Sequence, residues 1–337
     1  MSENGPVTML DDRPALGPGA ITIAADAIGA HVRSTPTIVV PGVDIGADVE
    51  IVFKLEYLQH SGSFKARGAA YSVAARAIDT GGIVAASGGN HGAAVAWAAQ
   101  RFGHVAHVFV PTTAPPAKVV RLRQYGAIIH QVGDVYSEAY TASQVHLAEH
   151  GGTSIHAYDD PVVMAGAGTC GRELDRQAPD LDAVLLACGG GGLSGGCAAW
   201  YGDRAEIVAV ETPGTASYAS AIVAGHPVDI PVSGLVADSL GATRLGITPW
   251  AALRTAGATS VVVDDEDVTA ARDLLWTWLR IAVEPAAAAP LAAITTGAWK
   301  PSGARIGIVL CGANTSIEFP HPTPTAGDRP ALHHEAD

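Results

Sequence analysis

Four successive glycines, Gly189, Gly190, Gly191 and Gly192, separate an apolar run at residues 183–188 from a small-residue stretch at 193–201. Glycine loses more backbone freedom on folding than any other residue, so four together are costly in an ordinary turn. They permit a backbone that no Cβ shields, with successive N–H groups turned toward an anion at the start of a helix. A strand, a glycine turn and a helix in that order form half of a parallel crossover unit, and the same rhythm recurs along the chain. Strand-like segments at residues 49–55, 82–86, 105–110, 127–132, 183–188, 206–211, 260–263 and 306–310 carry the apolar runs. Helical patterns at 64–78, 92–101, 117–125, 135–150, 193–201 and 267–282 alternate with them, and an alanine-rich helix follows Pro285. The expectation is an α/β protein with parallel sheet and helices on both faces. Such sheets bind ligands beyond the carboxyl ends of their strands.

With 337 residues, 48% apolar and 16% charged, the chain can bury a substantial core and is not a disordered polymer. Its net charge of −13 argues against nucleic acid and anionic membrane surfaces as general partners. Cys170, Cys188, Cys197 and Cys311 form no CxxC pair and have no histidine pair at zinc spacing, so a reducing, cytoplasmic setting is expected. No apolar run reaches membrane-spanning length. Residues 1–18 are acidic and rich in proline and glycine, unlike a signal or transit peptide. The ends, residues 1–14 and 326–337, are expected to be disordered; His333 and His334 lie in the second. No internal repeat is visible.

Three further segments carry chemistry. Ser61-Gly62-Ser63-Phe64-Lys65-Ala66-Arg67-Gly68-Ala69 follows a strand and opens a helix. An amine at a helix start sits where the macrodipole disfavours positive charge, which helps keep Lys65 neutral and nucleophilic. Ser87-Gly88-Gly89-Asn90-His91-Gly92 lies between a buried strand and a helix, where backbone amides and the Ser87 hydroxyl suit a carboxylate and Asn90 suits a ring oxygen. His91 reads more simply as a cap or packing residue than as a ligand contact. Cys311 closes the last strand, either as a small buried hydrophobe or as a weak partner for a heteroaromatic nitrogen. Asn314 is placed to orient that region, and Glu284 either neighbours the same site or caps the helix after Pro285. Gly190, Gly192 and Gly195 also satisfy GxGxxG, with Glu211 ending the next strand, which is the pattern of a dinucleotide site. The position past mid-chain, the extra Gly189 and the Lys65 segment favour a single phosphate monoester instead.

The segments SGSFKARGA, SGGNHG, GGGGLSGG and CGAN, in this order from about residue 34 to 314, resemble the serine/threonine dehydratase family of pyridoxal-phosphate enzymes of fold type II, the tryptophan synthase β-like fold. The resemblance implies two open, twisted, mostly parallel sheets with helices on both faces. It implies a large cofactor domain from residues 15–80 and 165–325, a small substrate-loop domain from 81–164, and a homodimer. Lys65 is then the lysine that holds pyridoxal 5′-phosphate as a Schiff base and moves the Cα proton of a small amino-acid substrate. Phe64 flanks the ring, Asn90 contacts its 3′-oxygen, and Gly189, Gly190, Gly191, Gly192 and Leu193 bind the phosphate. Ser87, Gly88, Gly89, Asn90 and His91 hold the substrate carboxylate, and Cys311 faces the pyridine nitrogen. A thiol there cannot keep that nitrogen protonated as a carboxylate would, which favours β-elimination over longer-lived carbanion chemistry.

The activity implied is dehydration and deamination of L-threonine, L-serine or a related 3-hydroxy amino acid. Serine racemases of this family resemble SSGN in the substrate loop, and Gly88 stands at the second serine, so racemisation is expected to be weak. Members that bind a divalent cation pair a glutamate with an aspartate six residues on; here Glu211 is followed by Ser217, so no metal is expected. No regulatory domain is expected, since the chain ends soon after Asn314. The substrate side chain is not legible; Asp238 and Arg244 are as suited to the surface as to reading a polar substrate. A β-replacement enzyme of cysteine or cystathionine synthase type, a dinucleotide-dependent oxidoreductase and a non-catalytic binding module remain alternatives.

Overall fold

A computed structural model describes residues 16–315, so the expected disorder at both ends lies outside the described residues. Among the described residues, ten strands fall into two sheets. They are β1 (Thr37–Pro41), β2 (Glu50–Lys54), β3 (Ile83–Ala86), β4 (Ala106–Val110), β5 (Ile128–Gln131), β6 (Thr153–Ser154), β7 (Ala183–Ala187), β8 (Glu206–Glu211), β9 (Thr259–Val262) and β10 (Arg305–Val309). The first sheet has the order β1-β2-β10-β7-β8-β9 and the second β5-β4-β3-β6. Only β1 runs antiparallel to its neighbour; every other pairing is parallel. Two mostly parallel sheets with helices are therefore present: the strand–helix rhythm called for parallel sheet, and the family resemblance for two of them.

Among the described residues twelve α-helices connect and cover the sheets: α1 (Pro18–Ile28), α2 (Lys65–Ala74), α3 (Asn90–Phe102), α4 (Pro116–Gln124), α5 (Tyr136–His150), α6 (Pro161–Gln177), α7 (Gly192–Tyr201), α8 (Ser217–Ala224), α9 (Ala237–Leu240), α10 (Ile247–Thr255), α11 (Asp265–Leu279) and α12 (Pro285–Thr295). Strands β7 and β8 at the centre of the large sheet are apolar along nearly their whole length because both faces are covered. Their side chains share one core with β2, β10 and the alanines of α12.

The expected helix over 64–78 stops at Ala74 and that over 267–282 at Leu279, where Arg280 takes a left-handed φ of 58°. The largest omission from the sequence reading is α6, 17 residues long. Its glycines Gly166, Gly168 and Gly171 disguise it, since glycine lowers helix propensity by roughly 1 kcal/mol per residue relative to alanine. Their purpose is tertiary. A Cβ on Gly166 would lie 2.6 Å from the Arg67 carbonyl oxygen of α2, and one on Gly168 would lie 2.8 Å from the Gly196 carbonyl oxygen of α7. The signals for the start of α6 were local: Asp160 accepts from the Val162 amide at 2.8 Å and Pro161 occupies the first helical position.

Helix α2 is also locked from below. Arg67, almost fully buried, donates from Nε and Nη2 to both oxygens of buried Glu56 at 2.8 and 2.7 Å, and from Nη2 to Glu173 of α6 at 2.9 Å. Lys54 Nζ reaches the same Glu173 at 2.5 Å. The arginine two residues after Lys65 is thus a structural anchor.

The glycine contacts predict a measurable cost. Gly166→Ala forces its methyl against the α2 backbone, so it is expected to destabilise by about 1–3 kcal/mol. Urea unfolding should show a lower midpoint with an unchanged slope; an unshifted midpoint would contradict this account of helix packing.

Candidate active site

Lys65 is the first residue of α2, at the end of a strap that follows β2. The strap is held against the end of β10: the Phe64 amide donates to the Cys311 carbonyl at 3.0 Å, and Ser63 bridges Gly312. This brings the motifs at residues 61–69 and 311–314 together across the sheet. The half-buried Lys65 Nζ donates to the Ala157 carbonyl at 2.7 Å and lies 5.2 Å from the centre of the Phe64 ring. Burial lowers its pKa to about 8, against the opposing pull of Cys311 and Glu284. A substantial fraction of this amine is therefore neutral near physiological pH.

One pocket gathers Phe64, Lys65, Asn90, the four glycines, Leu193 and Cys311. The glycine turn follows β7 and leads into α7, whose first-turn amides have no intrahelical acceptor. Gly191 adopts φ +86°, and a Cβ there would lie 2.6 Å from Pro249. A Cβ on Gly190 would enter the ring of Tyr158. Gly195, third glycine of the apparent GxGxxG, has a different use: its Cα backs onto Met164 and Pro249, where a Cβ would meet them at 2.7 and 3.0 Å. It serves the packing of α7.

Cys311 is a buried thiol whose pKa is driven up by burial and by Glu284, so it stays protonated and presents no charge to the pocket. Glu284 is buried as well, and burial raises its pKa. Its backbone caps α12 without any side-chain cap bond. The carboxylate turns instead to the pocket, accepting from Asn90 Nδ2 at 2.8 Å and from the Asn314 amide at 3.1 Å. Asn314 Nδ2 donates in turn to Asn90 Oδ1 at 2.6 Å and to the Ser61 carbonyl at 2.8 Å. Asn90 is therefore oriented from two sides.

Ser87, Gly88 and Gly89 form the turn between β3 and α3, just before Asn90. Ser87 Oγ accepts from the Gly89 amide at 3.3 Å. His91 points its Nε2 to the Ile155 carbonyl at 2.9 Å, and burial together with Lys65 pushes its pKa down to about 3. Its ring is a neutral packing group, and its amide lies in the first turn of α3.

Glu211 is buried and accepts from the Tyr218 and Ala219 amides at 2.7 and 2.9 Å, with Ser217 and Ser260 hydroxyls at 3.3 and 3.4 Å. Burial nevertheless pushes its pKa up to about 7. The carboxylate is engaged by the start of α8, and Ser217 brings no second carboxylate to it. Asp238 pairs with Lys118 and Arg244 with Asp229, at exposed positions.

Three contributors were not foreseen. Ala157 and Tyr158, from the segment before α6, supply the carbonyl on Lys65 and the ring on Gly190. Arg121 of α4 has a buried Nε with no hydrogen-bond partner among the described residues. Burial lowers its pKa, opposed by Tyr125, Glu284 and Asp238. Only the Asp-Asp-Pro start signal before α6 hinted at any of them.

An amine of lowered pKa, an array of helix-start amides free of Cβ atoms, an aromatic ring and a neutral thiol on one pocket fit an aldehyde coenzyme carrying a phosphate. The family profile described as "Pyridoxal-phosphate dependent enzyme" matches residues 28–312. The chain belongs to this family. The L-threonine ammonia-lyase of Geobacter sulfurreducens is 33% identical over 88% of this chain and 75% of its own length. The beta-hydroxyaspartate dehydratase of Paracoccus denitrificans is 32% identical over 88% of this chain and 95% of its own. The structure of maize serine racemase superposes with a TM-score of 0.84 at 31% identity, covering 90% of this chain and 95% of that one. The protein is thus a pyridoxal-phosphate-dependent enzyme of fold type II, and the dinucleotide alternative falls away. No helix among the described residues is long and apolar enough to cross a membrane.

The lowered Lys65 pKa makes a pH prediction. Deprotonation creates the nucleophile, so covalent capture of pyridoxal phosphate by the apo-enzyme should accelerate as pH rises through about 8 and then level off. Stopped-flow absorbance measures this. A rate still climbing toward the ordinary lysine value of 10.5 would show the amine to be unperturbed. Lys65→Ala should show no covalent capture at any pH.

Proposed function

We propose that this enzyme eliminates water from a 3-hydroxy amino acid, of which L-threonine and L-serine are the simplest, yielding a 2-oxo acid and ammonia. The observation that carries this reading is the pairing of a single basic amine, Lys65, with an uncharged Cys311 and a Gly88 that offers no second acid. Pyridoxal phosphate, when bound, supplies the electron-withdrawing ring that acidifies the substrate Cα–H bond. The glycine-turn amides and the start of α7 hold the phosphate, and Asn90, fixed by Glu284 and Asn314, orients the ring. The Ser87–Gly89 turn and the first amides of α3 hold the substrate carboxylate. Lys65 takes the Cα proton to Nζ and returns it to the departing β-hydroxyl, which leaves as water; the released enamine then takes up water and hydrolyses to oxo acid and ammonia. Cys311, staying a thiol, would place no negative charge beside a bound cofactor ring, which would favour loss of a β-leaving group over a stored carbanion.

A screen of 3-hydroxy amino acids with the holoenzyme, following 2-oxo acid and ammonia, tests the proposal. Including a dicarboxylic 3-hydroxy amino acid probes whether Arg121, a cation without a hydrogen-bond acceptor for its Nε, reads a second carboxylate; threonine or serine turnover alone would leave Arg121 to another role. Sulfide consumption with no oxo acid from any member would overturn elimination in favour of β-replacement.

The racemase relatives favour one further measurement. A Cβ on Gly88 would meet only Val110, at 3.6 Å, so a serine fits without strain. Gly88→Ser is expected to raise racemisation relative to elimination severalfold, read by chiral analysis of recovered substrate. An unchanged ratio would remove Gly88 from the account of reaction choice.

A further inference from the structure

Outside the active site, three histidines from distant parts of the chain converge on the small sheet. His107 lies on β4 and His130 on the neighbouring β5. Parallel pairing sets His130 opposite Phe109, two residues beyond His107, so all three side chains share one face of the sheet. Helix α5 packs on that face through Ala139, Ala142 and Leu147, and lowers His146 onto the pair. One ring nitrogen of each histidine lies within 4.8 Å of the other two. His107 Nδ1 and His130 Nε2 are 3.1 Å apart and share a hydrogen bond. His146 Nε2 is buried and has no hydrogen-bond partner among the described residues.

We propose that His107, His130 and His146 form a binding site for a divalent transition-metal ion of the zinc class. Three imidazoles aimed at one another are poorly satisfied alone: between them they make one hydrogen bond, and an unpaired buried nitrogen costs free energy. A metal ion takes a lone pair from each. Zinc–imidazole bonds are about 2.0–2.1 Å long, so small side-chain rotations close the present spacing around one ion. All-nitrogen donors suit zinc, cobalt or nickel and exclude magnesium and calcium, which require oxygen. His150, one helical turn beyond His146 with ring centroids 4.7 Å apart, or a water, completes a tetrahedron.

The position assigns a structural task. Val84 and Phe109 face α5, whereas Ile83, Ala85 and Val108 face the core that contains α3. The cluster thus lies on the side of the sheet opposite α3, away from Lys65. A metal there clips α5 to β4 and β5 and takes no part in elimination.

Titration of the metal-free holoenzyme with zinc against a chelating dye tests the site. One equivalent per chain should bind, and the thermal midpoint should rise with it. His130→Gln and His146→Gln should each lose that equivalent and the thermal shift while keeping lyase activity. His333→Ala/His334→Ala should retain both. Cobalt(II) added to the unmutated enzyme should give tetrahedral ligand-field bands, a readout independent of any variant's folding. Failure of zinc to bind, unchanged stoichiometry in His146→Gln, loss of the equivalent in His333→Ala/His334→Ala, or an octahedral cobalt spectrum would each overturn the assignment.

Discussion

The close approach of α6 to two other helices is the constraint on which the active site depends. On one side Gly166 lets the α2 backbone in, and on the other Gly168 admits that of α7. Each of those helices begins with a functional group: α2 with Lys65, α7 with Gly192 at the end of the glycine turn. The segment leading into α6 then crosses the pocket itself, placing the Ala157 carbonyl on the lysine amine and the Tyr158 ring on Gly190. Amine and glycine turn are spaced by helix-to-helix distances that any side chain at the contact would widen. Catalytic geometry tolerates little such error, since displacements near 1 Å already cost about a hundredfold in rate.

Electrostatics around the pocket follows from which charges are compensated. Arg67 and Glu56, both buried, satisfy each other through two parallel hydrogen bonds, so the helix start is anchored without placing net charge at the site. Lys65 has no carboxylate in contact, and burial therefore pulls its pKa down. Cys311 and Glu284 are shifted the opposite way by the same desolvation. One low-polarity environment thus lowers the pKa of the amine and raises that of the thiol beside it. An amine tuned toward operating pH suits the general-base role proposed for Lys65.

Much of this was legible from local pattern. The strands of both sheets except β1 and β6, and the helices that follow their glycine turns, are announced by apolar runs and by the turns themselves. Lys65, Asn90, the four glycines, Leu193 and Cys311 do share one pocket. Helix α6 stayed hidden because its glycines answer to neighbours that are distant in sequence. Ala157, Tyr158 and Arg121 carry no motif, and the histidine cluster combines residues 107, 130 and 146, whose spacing matches no ligand signature.

By itself, then, the order of residues determined the α/β layering and the Cβ-free glycine turns, and singled out Lys65 as the candidate amine, because strand and helix periodicities and glycine turns are properties of short segments. Tertiary structure decided the pKa of that amine, the neutrality of Cys311, the aim of Glu284 toward Asn90 and the meeting of the three histidines. Those depend on desolvation and on contacts between residues tens to hundreds of positions apart, which exist only once the two sheets and their helices have packed.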